Sequence, residues 1–459
     1  MSHRIFTALL VASCVLTSAG LWAEQPKVDD ALKTRLDQIA SSYTGKNAFM
    51  GTVLVVEGDR VLLDKGYGMA SLEWQIPNAP DAKFRLGSLT KQFTAALILL
   101  LQQDGKLNVN DPVGKYLDNT PPTWAKITLA NLLGHTSGIP NFTGFKEFRE
   151  WSMSPHTPEE EIAFFRDKPL DFQPGTLWRY SGLYGFDVLA RIVEIVSGQP
   201  YDQFLKQHIF DPLGMKDTGL DNDDLVLAKR AEGYRPGPIG LELARSESMT
   251  IPWSAGALYS TTGDLLKWEH GLFGGKILSA DSLKLMTTPG KGDYGFGVFI
   301  QTQDGVRVVS HGGGIEGFNT QLEYAPKKEI AVVVLSNVNG GAPEQMGGQM
   351  MDTVLGKPVV LPNERKAVTI AKEALTKFVG VYDLAPTFSI TIAVAEDHLT
   401  GQGTGQQPID MIYQGERGGH PVFYASQPNA EIEFVPDANG NIASLILHQN
   451  GHDTPAKKR

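Results

Sequence analysis

Apolar and polar positions along this chain change their period three times, and each change marks a different kind of element. Residues 29–43 repeat at helical spacing and predict an opening helix. "GTVLVVEGDRVLLDKGYGMAS" reads as a β-hairpin: Val53, Val55 and Val61 are β-branched, and Glu57-Gly58-Asp59 makes the turn. The next stretch, "FRLGSLTKQFTAALILLLQQDGKL", is very apolar from Phe93 to Leu101. Gly87 in front and Asp104-Gly105 behind bound it as a helix, with Ser88 in the N-cap position.

From about residue 108 to 286 the pattern becomes helices between Pro/Gly-rich loops such as "NDPVGKYLDNTPPTW", "HTSGIPNF" and "RPGPIGLE". One helix is clear, with Val188, Leu189, Ile192, Val193 and Val196 on one face and Gly198 at its stop. Alternation returns near Tyr294 in "YGFGVFIQ", "VRVVSH", "GFNTQLEYAP" and "EIAVVVLSN", an antiparallel meander with Pro326-Lys327-Lys328 as one turn. His311 is placed at the end of a strand, ahead of three glycines. "GAPEQMGGQMMDTVLG" closes the region as a helix, with Gly356 past its end.

Strands at both ends of the region and helices between them predict an α+β fold. One antiparallel sheet, built from both chain ends and flanked by helices, would carry a helical lobe, with the site in the cleft between them. Residues 359–370 read as a linker. Residues 371–459 hold short strands with tight turns, Asp437-Ala438-Asn439-Gly440 among them, and predict a small all-β barrel or sandwich. The α+β domain is accordingly set at 24–358 and the barrel at 371–459.

The first 23 residues change the picture of where the protein works. Arg4 is followed by no charge from Ile5 to Ala23, which reads as a secretory signal at 1–23 and predicts an exported, periplasmic or secreted protein. An uncleaved anchor or lipidation at Cys14, within "VASC", are the alternatives. Cys14 is the only cysteine, so a mature chain cut after Ala23 would contain neither a disulfide nor a cysteine nucleophile. The net charge of −10 argues against nucleic acid as a partner.

Ser88 and Lys91 stand three residues apart at the head of the apolar helix. A capping box would have Glu or Gln where Lys91 stands, and a cation in the first turn opposes the helix dipole. Burial, the dipole and the nearby Lys83 and Arg85 would all lower the lysine pKa. The arrangement suits an amine that must release its proton. No H-E-x-x-H or spaced His/Cys cluster is present, so no metal site is expected. G-x-S-x-G and the phosphate-loop motif are also missing. Further along lie Tyr180, in "PGTLWRYSGLYG", and His311, in "VVSHGGGIEGF". A glycine-rich strand lets a ligand lie against backbone and can offer an N–H to an oxyanion. Hydroxyl, amine, phenol and His-Gly-Gly strand together form an acyl-transfer set.

In these motifs, and in "LLGHTSGIP", "FDPLGMKDTG" and "AGALYSTTGDLLKW", the chain resembles the class C-type serine β-lactamases, the D-alanyl-D-alanine carboxypeptidases and their esterase relatives, over roughly residues 29–356. The terminal region is similar to a lipocalin-like barrel found on some of them. The resemblance implies Ser88 as acyl-enzyme nucleophile and Lys91 as its base. Tyr180 would be the proton relay, even as a phenolate beside Lys91. His311 would bind a substrate carboxylate or polarise Tyr180. Gly313 and Gly314 would form the substrate-binding and oxyanion backbone, Gly314 N–H acting with that of Ser88. No cofactor is implied. Where the family loop often reads Y-x-N, this chain has Gly182, so a side-chain contact to the substrate amide is missing. Where many relatives have a lysine, it has His311, only partly charged near neutral pH. Both departures weaken the expectation of an efficient β-lactamase. The expected function is a serine acyl hydrolase acting on small peptides, amides or esters, of D-amino-acid peptidase type. A β-lactamase or carboxylesterase is the alternative within the enzymes, and a non-hydrolytic penicillin or peptidoglycan sensor the alternative outside them. The sequence leaves the oligomeric state open.

Overall fold

The computed structural model describes residues 28–45, 48–361, 364–385, 388–426, 430–449 and 452–459. The signal segment 1–23, with Arg4 and Cys14, lies outside the described residues.

The chain opens with helix α1 (Val28–Thr44) and the hairpin β1 (Gly51–Glu57) and β2 (Arg60–Tyr67). Helix α2 (Thr90–Gln103) follows. The helical lobe supplies α3 (Pro158–Arg166), α4 (Tyr184–Ser197) and the short α5 (Trp253–Gly256). Strands β3 (Phe299–Gln303), β4 (Val306–Ile315), β5 (Phe318–Ala325) and β6 (Ile330–Ser336) then lead into α6 (Ala342–Val354). The six strands form one antiparallel sheet in the order β3-β4-β5-β6-β1-β2. The last strand of the meander therefore pairs with the first strand of the chain, Val53 opposite Val334. The strand β6 is buried on both faces, which is why it reads as an unbroken apolar run, Ile330 to Leu335.

Each face of the sheet has its own core. On one, α1 and α6 cover Val53, Val55, Val332 and Val334 with Leu36, Ile39, Met346 and Met350. On the other, α2 packs Phe93, Leu97 and Leu101 among residues of the helical lobe. Phe93 stacks on Trp268 at 4.3 Å between ring centres. Such ring pairs add about 0.5–1.5 kcal/mol beyond their area.

Two local readings need correction. The strand β4 does not stop at His311 but runs through Gly312, Gly313 and Gly314 to Ile315, paired throughout with β5. Its β3 partner reaches only Ser310, so the edge from His311 onward is unpaired on that side. Ser88 is not the helix cap. It lies in a single tight turn, Gly87–Leu89, and α2 begins at Thr90 with no side chain capping it. The serine oxygen is thereby left free for other partners.

The C-terminal region is a closed antiparallel barrel of eight strands, β7 (Gly380–Ala385) to β14 (His452–Lys458) in sequence order. Tyr382 pairs with Lys458 to close it. Its interior is packed rather than open: Phe378, from the turn before β7, lies 5.0 Å from Phe423 and 4.8 Å from Phe434. The connecting segment is tied to both domains through two adjacent residues. Arg35 of α1 holds Glu364 at 2.7 Å, while Arg365 pairs with Glu431 and lies 4.1 Å over the Tyr424 ring.

Candidate active site

The tight turn at Ser88 is forced by its neighbours. Gly87 has φ +56°, and a Cβ there would stand 2.7 Å from Gly314 N. Only glycine lets the serine turn approach strand β4 this closely. A Cβ on Gly313 would meet Leu86 O at 1.9 Å. Thr320 on β5 also donates to Leu86 O, at 2.8 Å. Serine turn, glycine strand and β5 are therefore locked against one another.

Lys91, on the first turn of α2, has no exposed surface. Its Nζ lies 2.9 Å from Ser88 Oγ and 3.1 Å from the Ala255 carbonyl on α5. Burial lowers its pKa to about 7, and the opposing pull of the Asp187 charge is smaller. Lys83 and Arg85, expected to contribute, do not: Lys83 pairs with Asp217 at 2.9 Å and Arg85 with the buried Asp221 at 2.8 Å. Their charges are already balanced. An amine neutral near pH 7 and touching a serine hydroxyl can take its proton.

Tyr180 lines the groove beside Ser88. Lys91 Nζ lies 5.4 Å from its ring centre. Burial holds the phenol well above its ordinary pKa, against a smaller pull from Ser88. The phenolate expected beside Lys91 is thus disfavoured; Tyr180 here is a neutral proton donor.

His311 also departs from its expected part. It is buried, and burial takes its pKa to about 3, with the Lys91 charge adding to the shift. Its Nδ1 lies 2.5 Å from the Gly312 carbonyl, which only accepts, so Nδ1 carries the proton. Its Nε2 accepts from the Tyr294 hydroxyl at 2.9 Å. Both ring nitrogens are engaged and the ring is neutral, so it is no cation for a substrate carboxylate. It braces Tyr294 against the glycine strand, 5.9 Å between ring centres from Tyr180.

Three residues joined this site without being picked from the sequence. His135 has φ +54°; its Nδ1 accepts from Ser181 N–H at 3.3 Å, and its ring lies 4.5 Å from that of Tyr180. It sets the loop that presents Tyr180. Tyr294 fell within a stretch read as strand, but β3 starts only at Phe299. Asp187 was legible as an acid in the first turn of an otherwise apolar helix face. It is fully buried on α4 and accepts from Ser254 at 3.2 Å, and among the described residues no donor meets its Oδ2. Where Gly182 lacks the family amide, a Cβ would stand 3.6 Å from Asn141 Oδ1. A neighbouring loop therefore brings an amide to that place.

Ser88, Tyr180, His311, Gly313 and Gly314 share one groove of about 910 Å³, with Lys91 beneath it. No cluster able to hold a metal ion is found among the described residues.

With this geometry in hand, likeness to known proteins can be placed on it. Residues 36–351 match the family model described as Beta-lactamase. The chain belongs to the beta-lactamase family. Its site is that of a serine hydrolase of the β-lactamase and penicillin-binding type. It is 32% identical over 323 residues to the putative penicillin-binding protein PbpX of Bacillus subtilis, covering 69% of this chain and 78% of that protein. Penicillin-binding protein 4* of the same organism is 27% identical over 454 residues, 92% of this chain and 98% of its own length, so that likeness includes the barrel. Among solved structures, the octameric penicillin-binding protein homologue from Pyrococcus abyssi superposes with a TM-score of 0.68 at 25% identity, over 92% of this chain and 99% of that one.

Proposed function

We propose that this member of the family is an exported hydrolase of small peptide amides or esters of D-amino acids, working through an acyl-enzyme on Ser88. The observation that carries the reading is the Lys91 amine, wholly buried and 2.9 Å from Ser88 Oγ. Neutral Lys91 takes the hydroxyl proton as Ser88 Oγ attacks the carbonyl carbon. The oxyanion is received by the N–H groups of Ser88 and Gly314, a device worth about 10²–10³ in rate per donor. Tyr180 gives its proton to the leaving amine or alcohol, the carbon–heteroatom bond breaks, and the Lys91 proton restores the phenol. Water then attacks the ester, losing its proton to Lys91, and Ser88 leaves with that proton.

The neutral His311 refines the substrate class. Among the described residues no lysine or arginine side chain lines the groove, so none of them clamps a carboxylate next to the scissile bond. This favours amides and esters over free-carboxylate peptides and β-lactams. Export rests on the leader-like segment 1–23.

A fluorophosphonate probe should label the wild-type protein and leave Ser88→Ala unlabelled. Short p-nitrophenyl esters and D-alanyl peptide amides should be turned over faster than nitrocefin or peptides ending in D-Ala-D-Ala carboxylate. Labelling that survives Ser88→Ala would reject the mechanism. Fast nitrocefin hydrolysis would reject the substrate class.

A further inference from the structure

The groove does not end at the catalytic residues. From Ser88 it passes the glycines of β4 and continues across the sheet beneath α6. A sheet face covered by helices is normally apolar, and Val308, Val332 and Val334 obey that rule. The adjoining part breaks it. On β5, Asn319, Gln321 and Glu323 alternate with Thr320, Leu322 and Tyr324. On β4 the partners facing them are Gly314, Gly312 and Ser310. The result is a polar wedge inside a covered face, opened by residues without side chains.

Glu323 is the centre of this wedge. It is 8% exposed and lines the groove. Its Oε1 accepts from Gln321 Nε2 at 3.1 Å; among the described residues no donor meets Oε2. A Cβ on Gly347 of α6 would come within 3.0 Å of Oε1, so the helix is kept bare where it passes the carboxylate. Glu344 and Asp352, also on α6, line the same groove. Burial first, then the Asp352 and Glu344 charges, raise the Glu323 pKa to about 7. Lys357 does not serve it, being bound to Asp304 at 2.9 Å and Asp352 at 3.2 Å. A buried carboxylate facing two others is costly unless a cation joins it.

We propose that this extension of the groove seats a positively charged side chain of the substrate, an ammonium or guanidinium, on Glu323. The proposal rests on the hydrolase reading and narrows its substrate. Along β4, Ser310, the residue opposite Glu323, is four positions from Gly314, about 13 Å at 3.3 Å per residue. A single amino-acid derivative cannot span that distance. A peptide can, laid extended along the free edge of β4 with a long cationic side chain one to three residues from the scissile bond.

The test uses tetrapeptide amides of D-alanine with one lysine moved from position to position, each beside its Nε-acetyl twin. Binding is measured by calorimetry to full-length Ser88→Ala protein, so turnover is not needed. For at least one position the free amine should bind tenfold or more tightly than its twin, less so at high salt. Glu323→Gln in the same background, checked for a native melting transition, should erase the difference. Twins that bind alike at every position, no binding of either, or a preference that survives Glu323→Gln would each overturn the proposal. Fluorophosphonate labelling of wild-type Ser88 reports separately on the hydrolase reading, so the two can fail independently.

Discussion

Tyr294 donates its phenolic proton to Nε2 of His311 across 2.9 Å, and this bond leaves the imidazole no site for a second proton. An imidazole that accepts at Nε2 and donates at Nδ1 has no place for a second proton. Burial lowers its pKa to about 3, whereas in the unfolded chain it returns to an ordinary 6.5 or so. Between those values the unfolded state binds more protons. The share of stability that His311 carries is therefore complete above about pH 6.5 and declines as pH falls toward 3, while carboxyls raised by burial, such as Glu269 and Glu323, slope the other way. His135 is buried and shifted down as well and adds to the same slope. Urea unfolding between pH 8 and pH 5 should show the stability of the wild type falling relative to that of His311→Asn as the pH is lowered. An equal slope in wild type and variant would contradict the assignment.

Catalysis should follow a different group. Lys91 acts as its neutral form and has a pKa of about 7. The ratio kcat/KM should rise with pH through about 7 to a plateau. Tyr180, held above its ordinary pKa, adds no alkaline limb below pH 10. Lys91→Met should lower kcat by at least 10²–10⁴-fold, the range for general-base loss. The variant should also melt higher than wild type, since a buried amine that must shed its proton destabilises the fold. An acid limb that stays near pH 4–5 would exclude Lys91 as the base.

The charge behind the lysine gives a sign that can be checked. Asp187 and Lys91 attract one another, and the Asp187 charge raises the lysine pKa against the larger effect of burial. Burial in turn pushes the Asp187 carboxyl up. With Asp187→Asn the opposing pull is gone, and the acid limb of kcat/KM should move to lower pH. A move to higher pH would show that the carboxylate acts otherwise than by charge.

Much of this layout was readable from side-chain pattern. The meander, the opening hairpin, helix α4 with Gly198 at its left-handed stop and the closing helix all follow from local period and turn residues. The pairing of β1 with β6 joins segments far apart in the chain and followed only from economy of fold. At the site, Ser88 and Lys91 were legible because a cation in a first turn contradicts helix electrostatics. The neutrality of His311 was not, since it depends on Tyr294 and the Gly312 carbonyl meeting its two nitrogens in space. The balancing of Arg85 by Asp221, 136 positions later, was equally out of reach. The Ser88 cap reading failed because Gly87 adopts φ +56° to approach β4, a tertiary demand that local propensity does not contain.

The glycines of β4 can be separated by substitution, because each faces something different. A Cβ on Gly313 would stand 1.9 Å from Leu86 O and 2.2 Å from Thr320 Oγ1, whereas one on Gly314 meets Asn319 Nδ2 at 3.2 Å. Backbone cannot yield as a flexible side chain can, so Gly313→Ala must push β4 away from the Ser88 turn. Overpacking of this kind costs about 1–3 kcal/mol, and moving an oxyanion donor costs about 10²–10³ in rate. Gly314→Ala needs only a small shift of the Asn319 amide, and its N–H stays where it was. Gly313→Ala should therefore lose both melting temperature and kcat, while Gly314→Ala keeps its melting temperature within a few degrees and most of its kcat. Equal losses in the two variants would mean that the approach of Leu86 to β4 does not set the geometry around Ser88.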